Sequence, residues 1–170
     1  MIRVGILTIS DRSAAGERAD ASGPAIREMV SSQMRGSVVR EGVIPDEAAV
    51  IASTLRGWSP EMDLILTTGG TGFAVRDVTP EATLSVIERR APGLEEAMRF
   101  SSLQKTPHAM LSRAVAGIAG RCIIVNLPGS PKAARENLAV ILPALPHAVR
   151  LLAGEAQESE HAFGGLGSTP

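Results

Sequence analysis

Met62–Thr68 (MDLILTT) is a short apolar run that passes without interruption into Gly69-Gly70-Thr71-Gly72. A run of this length, apolar on both faces and ended by glycines, predicts a strand buried in a sheet that is covered on both sides. Asp63 opens the run, so it lies at the edge opposite the glycines and reads as structural. Beyond the glycines, Thr79-Pro80-Glu81 places a cap, a first-turn proline and an acid at a helix start, with Leu84 and Ile87 facing inward. Upstream, Ile2–Ile9 (IRVGILTI) predicts another buried strand, closed by Ser10-Asp11-Arg12 and followed by a polar loop, Ser13–Asp20. Ser22 then reads as a helix cap with Pro24 in the first turn and Ile26, Met29, Val30 and Met34 at helical spacing. Ser37–Ile44 (SVVREGVI) predicts a strand cut off by Pro45. Asp46 can cap the next helix, which carries Ile51, Leu55 and Trp58 on one face and is ended by Gly57 and Pro60.

Downstream, Leu94, Ala97 and Met98 share a face and predict a helix over Leu94–Arg99. Met110–Gly120 reads either as helix, from its alanines, or as half of a hairpin in which Ala114–Ile118 turns at Gly120 into Cys122–Leu127; the hairpin is favoured. Ser130-Pro131 caps a last helical region that reaches Leu152 and that Pro143 and Pro146 should break or kink. From Glu155 the chain turns acidic and then glycine-rich, which predicts a disordered tail over 155–170 behind one domain over 1–154. Strands alternating with helices predict a three-layer α/β/α sandwich with a largely parallel sheet.

Composition narrows the function. In 170 residues, 17 Lys and Arg stand against 18 Asp and Glu, so no global field draws the chain to nucleic acid or to an anionic membrane. Aromatic residues are 2%, too few for the stacking platforms that hold single-stranded bases. One cysteine, Cys122, excludes an internal disulfide framework and reads as a buried thiol. The three histidines, His108, His147 and His161, are dispersed, and His108 reads as a loop or surface residue. No basic leader and no long apolar stretch is seen, so neither secretion nor membrane insertion is expected; a reducing cytoplasm fits best.

The chemistry-bearing residues collect in four loops, Ser10-Asp11-Arg12, Pro45-Asp46-Glu47, Thr67–Asp77 and Asn126–Lys132, each beginning where a predicted strand ends. In an open α/β sheet ligands bind outside the carboxyl ends of the strands, so these loops should share one rim. Gly69, Gly70 and Gly72 form either a phosphate cradle or a tight turn. The run is not a Walker A loop, since no Gly-Lys-Ser/Thr follows, nor a dinucleotide fingerprint, since Val75 holds the third glycine position. Asp46 and Asp77 could hold Mg²⁺ against substrate phosphates; alternatively one is a helix cap and the other a loop acid paired with Arg76. Asn126–Lys132 offers an amide that could read a base edge and a helix start that could attract an anion, or an ordinary Ser-Pro turn. Ser112-Arg113 could hold an anionic substrate or sit at the surface.

Taken together, ILTISDR, IPDE, LTTGGTG with RDVTPEAT, MLSRAVAG and IIVNLPGSPK closely resemble the molybdopterin adenylyltransferase family, the MogA/MoaB type that includes the G domains of plant and animal molybdenum-cofactor proteins. The resemblance covers about Ile2–Gly154. It implies a MogA-like α/β fold, a homotrimer, and transfer of AMP from ATP to the terminal phosphate of molybdopterin with Mg²⁺, releasing pyrophosphate. It implies that Asp46 and Asp77 are the catalytic, metal-associated carboxylates. Gly69, Gly70, Thr71 and Gly72 with Asn126, Pro128, Gly129 and Ser130 would form the nucleotide side, and Ser112 and Arg113, with Ser10 and Asp11, the surroundings of the pterin and its phosphate. No molybdenum-insertion domain is attached, so a separate insertion protein would take the product. Two other readings remain: a non-catalytic pterin-binding scaffold on the same fold, and a related fold that modifies some other nucleotide.

Overall fold

The computed structural model describes residues 1–34 and 36–155; the tail expected over 155–170 lies outside them except for Glu155. The elements run β1 (Ile2–Ile9), α1 (Asp11–Ala14), α2 (Ser22–Gln33), β2 (Gly36–Ile44), α3 (Ala48–Trp58), β3 (Leu64–Thr68), α4 (Thr79–Leu84), β4 (Arg89–Arg90), α5 (Pro92–Leu103), a 3₁₀ turn at Pro107–Leu111, β5 (Ala116–Ala119), β6 (Cys122–Leu127), α6 (Pro131–Ile141) and α7 (Leu145–Ala153). They build one six-stranded sheet in the order β2-β1-β3-β6-β5-β4. β2, β1, β3 and β6 are mutually parallel, whereas at the far edge β5 pairs antiparallel to β6 and β4 antiparallel to β5.

Strand alternation sorts the core into two halves. Val4 and Ile6 of β1, Leu64 and Leu66 of β3, and Ile123, Val125 and Leu127 of β6 meet α2, α5, α6 and α7 on one face. Leu7, Ile9, Ile65, Cys122 and Ile124 point the other way, onto Ile51, Ala52, Leu55 and Trp58 of α3 and Ala82 of α4. This is the expected three-layer sandwich. Asp63 anchors the opposite edge, accepting from Arg3 N at 2.8 Å and Nη2 at 2.9 Å, and these bonds hold its carboxyl below the usual range. The hairpin over 116–127 also forms, turning at Gly120 with φ 59°.

Several local expectations change. The polar stretch after β1 begins with a helical turn, because Ser10 Oγ accepts from Ser13 N. The exposed N–H groups at the start of α2 are taken by Asp20 Oδ1, which accepts from Ser22 N at 2.9 Å and Gly23 N at 3.1 Å; Ser22 instead donates its hydroxyl to Gly129 O. Thr79 is the first residue of α4, and its hydroxyl donates to Gly69 O at 2.9 Å. Asp46 does not cap α3. β4 was not foreseen: two exposed arginines carry no strand pattern, and they are strand only through Ile118 and Gly117 of β5.

Candidate functional site

Because β1, β2, β3 and β6 are parallel, the loops after them share a rim, as in other open α/β sheets. The loops are bonded together closely. Gly69 N donates to Leu127 O, and Thr68 Oγ1 donates to Pro128 O at 2.7 Å. Gly69 (φ 102°) and Gly70 (φ 64°) occupy backbone conformations that other residues rarely adopt. A Cβ on Gly69 would stand 2.1 Å from Ile9 O, and one on Gly70 would stand 2.4 Å from Thr79 Oγ1 and 2.9 Å from Asp46 Oδ1. The third glycine, Gly72, leaves room for Asp77, whose Oδ2 is 2.9 Å from where a Cβ would be. Glycines are therefore needed here for the approach of two carboxylates as well as for the turn. Among the described residues, the N–H groups of Gly70, Thr71 and Gly72 have no hydrogen-bond acceptor.

Two cavities flank this loop. The first, of about 670 Å³, includes Ser10, Asp46, Gly69, Gly70, Asp77 and Ser130 in its lining. The second, of about 290 Å³, is lined by Thr71, Gly72, Ser112 and Pro128 together with Lys105 and His108. The loop after β3 is thus a partition, with its first two glycines on one side and Thr71-Gly72 on the other. The loop after β6 is divided in the same way at Pro128 and Gly129.

The carboxylates differ in their surroundings. Asp11 and Asp46 clasp each other: Asp11 N donates to Asp46 Oδ2 at 2.8 Å and Asp46 N to Asp11 Oδ1 at 3.0 Å. Arg76 covers Asp11 with two bonds of 2.8 Å, which holds the Asp11 carboxyl below its ordinary range. Burial pushes the Asp46 carboxyl up; the neighbouring charges of Asp11 and Asp77 add to the rise, and the Asp11 N–H opposes it. Asp77 accepts from Ala74 N at 3.0 Å. Half-buried carboxylates that repel one another favour a cation between them. No group of three or more His, Cys, Asp and Glu residues able to hold a metal ion exists among the described residues. Asp46 and Asp77 are the two carboxylates that line the first cavity beside the glycine loop, and a cation that takes one or two carboxylates could be held there.

Three expected site residues lie elsewhere in the arrangement. Asn126 is fully buried: Nδ2 donates to Thr67 Oγ1 and Thr83 Oγ1, and Oδ1 accepts from Val115 N, so the amide ties β6 to β3 and α4 and does not reach a base. Asp11 is engaged by Arg76 and the Asp46 loop. Arg113 lines neither cavity; its guanidinium goes to Gly72 O, Asp77 O and Glu81. Conversely, Arg18 and Asp20 on the first cavity and Arg99 and Lys105 on the second went unnoticed, since single charges in polar stretches carry no local signal. His108, though exposed, stands on the wall of the second cavity. Cys122 is a buried thiol, as expected, and burial pushes it up to about 12. The position of Asn126 sets an expectation: Asn126→Ala should cost about 1–3 kcal/mol in denaturant unfolding, because it strands two buried hydroxyls and an N–H. ATP affinity in calorimetry should stay within about threefold; a selective loss of ATP binding at unchanged stability would restore the amide to the pocket.

Residues 5–147 match the family model described as "Probable molybdopterin binding domain". The chain belongs to this family. It is 43% identical over 156 residues to the "Molybdopterin adenylyltransferase" of Helicobacter pylori (strain J99 / ATCC 700824), covering 90% of this chain and 89% of that one. Among solved structures, the "Molybdopterin biosynthesis enzyme MoaB" of Thermus thermophilus is 52% identical with a TM-score of 0.85, covering 91% of this chain and 98% of that one. "Gephyrin" of Dictyostelium discoideum is 46% identical over 166 residues, 92% of this chain, but the match spans only 23% of that much longer protein.

Proposed function

We propose that the chain is a molybdopterin adenylyltransferase of molybdenum cofactor biosynthesis. It transfers AMP from ATP to the terminal phosphate of molybdopterin. A terminal phosphate oxygen of the pterin attacks the α-phosphorus of ATP, the bond from that phosphorus to the β-bridging oxygen breaks, and pyrophosphate leaves. The observation that carries this reading is the glycine partition, with the paired carboxylates Asp46 and Asp77 beside it and a cavity on each side. The larger, carboxylate-lined cavity suits the nucleotide and its metal, and the smaller one, at Ser112 and Thr71, suits the pterin.

Two polyanionic reactants repel each other, so the site must neutralise and align them. The N–H groups of Gly70, Thr71 and Gly72 would donate to phosphate oxygens, and Ser130 caps α6, whose positive end favours an anion. Mg²⁺ held by Asp46 and Asp77 would neutralise charge on the triphosphate. The reciprocal bonds between Asp11 and Asp46 keep the Asp46 loop in place. The test is direct: purified protein, Mg-ATP and molybdopterin should yield adenylylated molybdopterin and pyrophosphate in equal amounts. Molybdopterin binding without pyrophosphate release would leave the non-catalytic scaffold.

The same reading makes the protein a cytoplasmic homotrimer that hands its product to a separate insertion protein. No helix among the described residues is long and apolar enough to cross a membrane. Phe73, Val75, Phe100 and Met110, each at least 65% exposed, are apolar side chains that association would cover. Light scattering is expected to give three times the 17.7 kDa chain mass; a monomer throughout the micromolar range would overturn the trimer.

A further inference from the structure

We infer that Arg113 is a positioning residue that aims Asp77 by clamping both ends of the 72–77 loop, and that it contacts neither substrate. The inference rests on the proposed role of Asp77. Arg113 follows the 3₁₀ turn and precedes β5. Its backbone N–H donates to Thr71 O at 2.9 Å, Nε to Gly72 O at 2.7 Å and Nη2 to Asp77 O at 2.5 Å, while Nη1 pairs with Glu81 in the first turn of α4. One residue thus holds the partition, the start and end of the loop and the helix behind it.

The loop has little else to fix it. Between Gly72 and Asp77, residues Phe73, Ala74, Val75 and Arg76 are all exposed. Their bonds are the Ala74–Asp77 turn, which is internal to the loop, and the Arg76–Asp11 pair, which is open to solvent and therefore weak. The guanidinium suits the task because its planar fork meets two carbonyls and a carboxylate at once; an ammonium on a flexible stem cannot. With Nε, Nη1 and Nη2 each engaged, it is committed to the loop before any ligand arrives. Misplacing a reacting group by about 1 Å can cost on the order of 100-fold in rate, so slack at residue 77 should appear in kcat.

The experiment compares the full-length protein with Arg113→Ala and Arg113→Lys by amide hydrogen exchange and by steady-state kinetics, each with and without millimolar guanidinium chloride. In both variants, exchange at the Ala74 and Asp77 amides, the two in the loop that are hydrogen-bonded, is expected to accelerate about tenfold or more while α6 stays unchanged, and guanidinium ion should reverse part of the effect in Arg113→Ala. In the same samples kcat should fall about 10- to 100-fold, with both KM values within about threefold and partial rescue of kcat by guanidinium. A large rise in the molybdopterin KM with unchanged loop exchange would overturn the clamp and make Arg113 a substrate contact. Faster exchange with wild-type kcat would also overturn it, since Asp77 would then not depend on the clamp. If the wild-type protein transfers no AMP, the proposed function fails, while loop exchange and its rescue still decide whether Arg113 clamps the loop.

Discussion

Asp77→Asn is expected to slow AMP transfer about 100-fold or more, a loss of about 3 kcal/mol of transition-state stabilisation, with little change in thermal stability. The amide keeps the shape of the side chain and can still accept from Ala74 N, the bond that organises the turn. What it lacks is the negative charge beside Gly72, at the boundary between the two cavities. If the carboxylate only ordered the loop, the rate would fall a few-fold and the melting temperature would carry the effect. Near-wild-type transfer at saturating Mg²⁺ would remove Asp77 from the catalytic set. It would weaken the same assignment for Asp46, which is argued from the same pair.

The largest expected effect on stability lies on the antiparallel side of the sheet. Glu95 in α5 is 2% exposed, yet its carboxylate accepts from Arg90 of β4 at 2.7 and 2.9 Å, from Ala116 N of β5 at 3.0 Å and from Arg99 at 3.3 Å. Glu95→Ala removes the anion and leaves Arg99 and a buried N–H without it, which should destabilise the fold by about 3–5 kcal/mol. Burial alone would raise this carboxyl, but the bonds from Arg90, Ala116 N and Arg99 outweigh it and set the folded value below the reference of 4.5. A carboxylate depressed by folding contributes its stability above 4.5 and loses it as the pH falls through its folded value. Melting temperatures of the wild type should therefore drop more steeply below pH 4.5 than those of Glu95→Gln. Parallel curves would show that Glu95 carries no pH-linked stability.

What could be read in the sequence and what could not divides by the range of the contacts involved. β1 over Ile2–Ile9 and the gathering of strand-end loops on one rim were legible, because burial on both faces and strand-then-helix order are written locally. Caps were less so. Ser22, Asp46 and Thr79 have the right chemistry for capping, but Asp20 reaches the N–H groups of α2 first, and the hydroxyl and carboxylate oxygens of Thr79 and Asp46 are drawn to loops 10 and 35 residues away. Arg113 and Asn126 were identified as site residues for their donors. Those donors meet acceptors up to 41 and 59 residues distant, and no spacing rule reports such a partner. Glu95 carries no local signal, because Arg90 of β4 and the Ala116 N–H of β5 come to it only in three dimensions.

The order of the strands also bears on how copies of the chain can meet. A sheet ending in open strands offers unpaired backbone groups to any neighbouring chain, and such edges seed aggregation unless they are short or charged. Here one edge is β4, two residues long and made only of Arg89 and Arg90. The other is β2, where Arg40 and Glu41 project and pair sideways with Glu61 and Arg27. Adding a strand at either end would strip charged groups of water or find too little backbone to bind. Growth of the sheet into fibres by strand addition is disfavoured by its own borders.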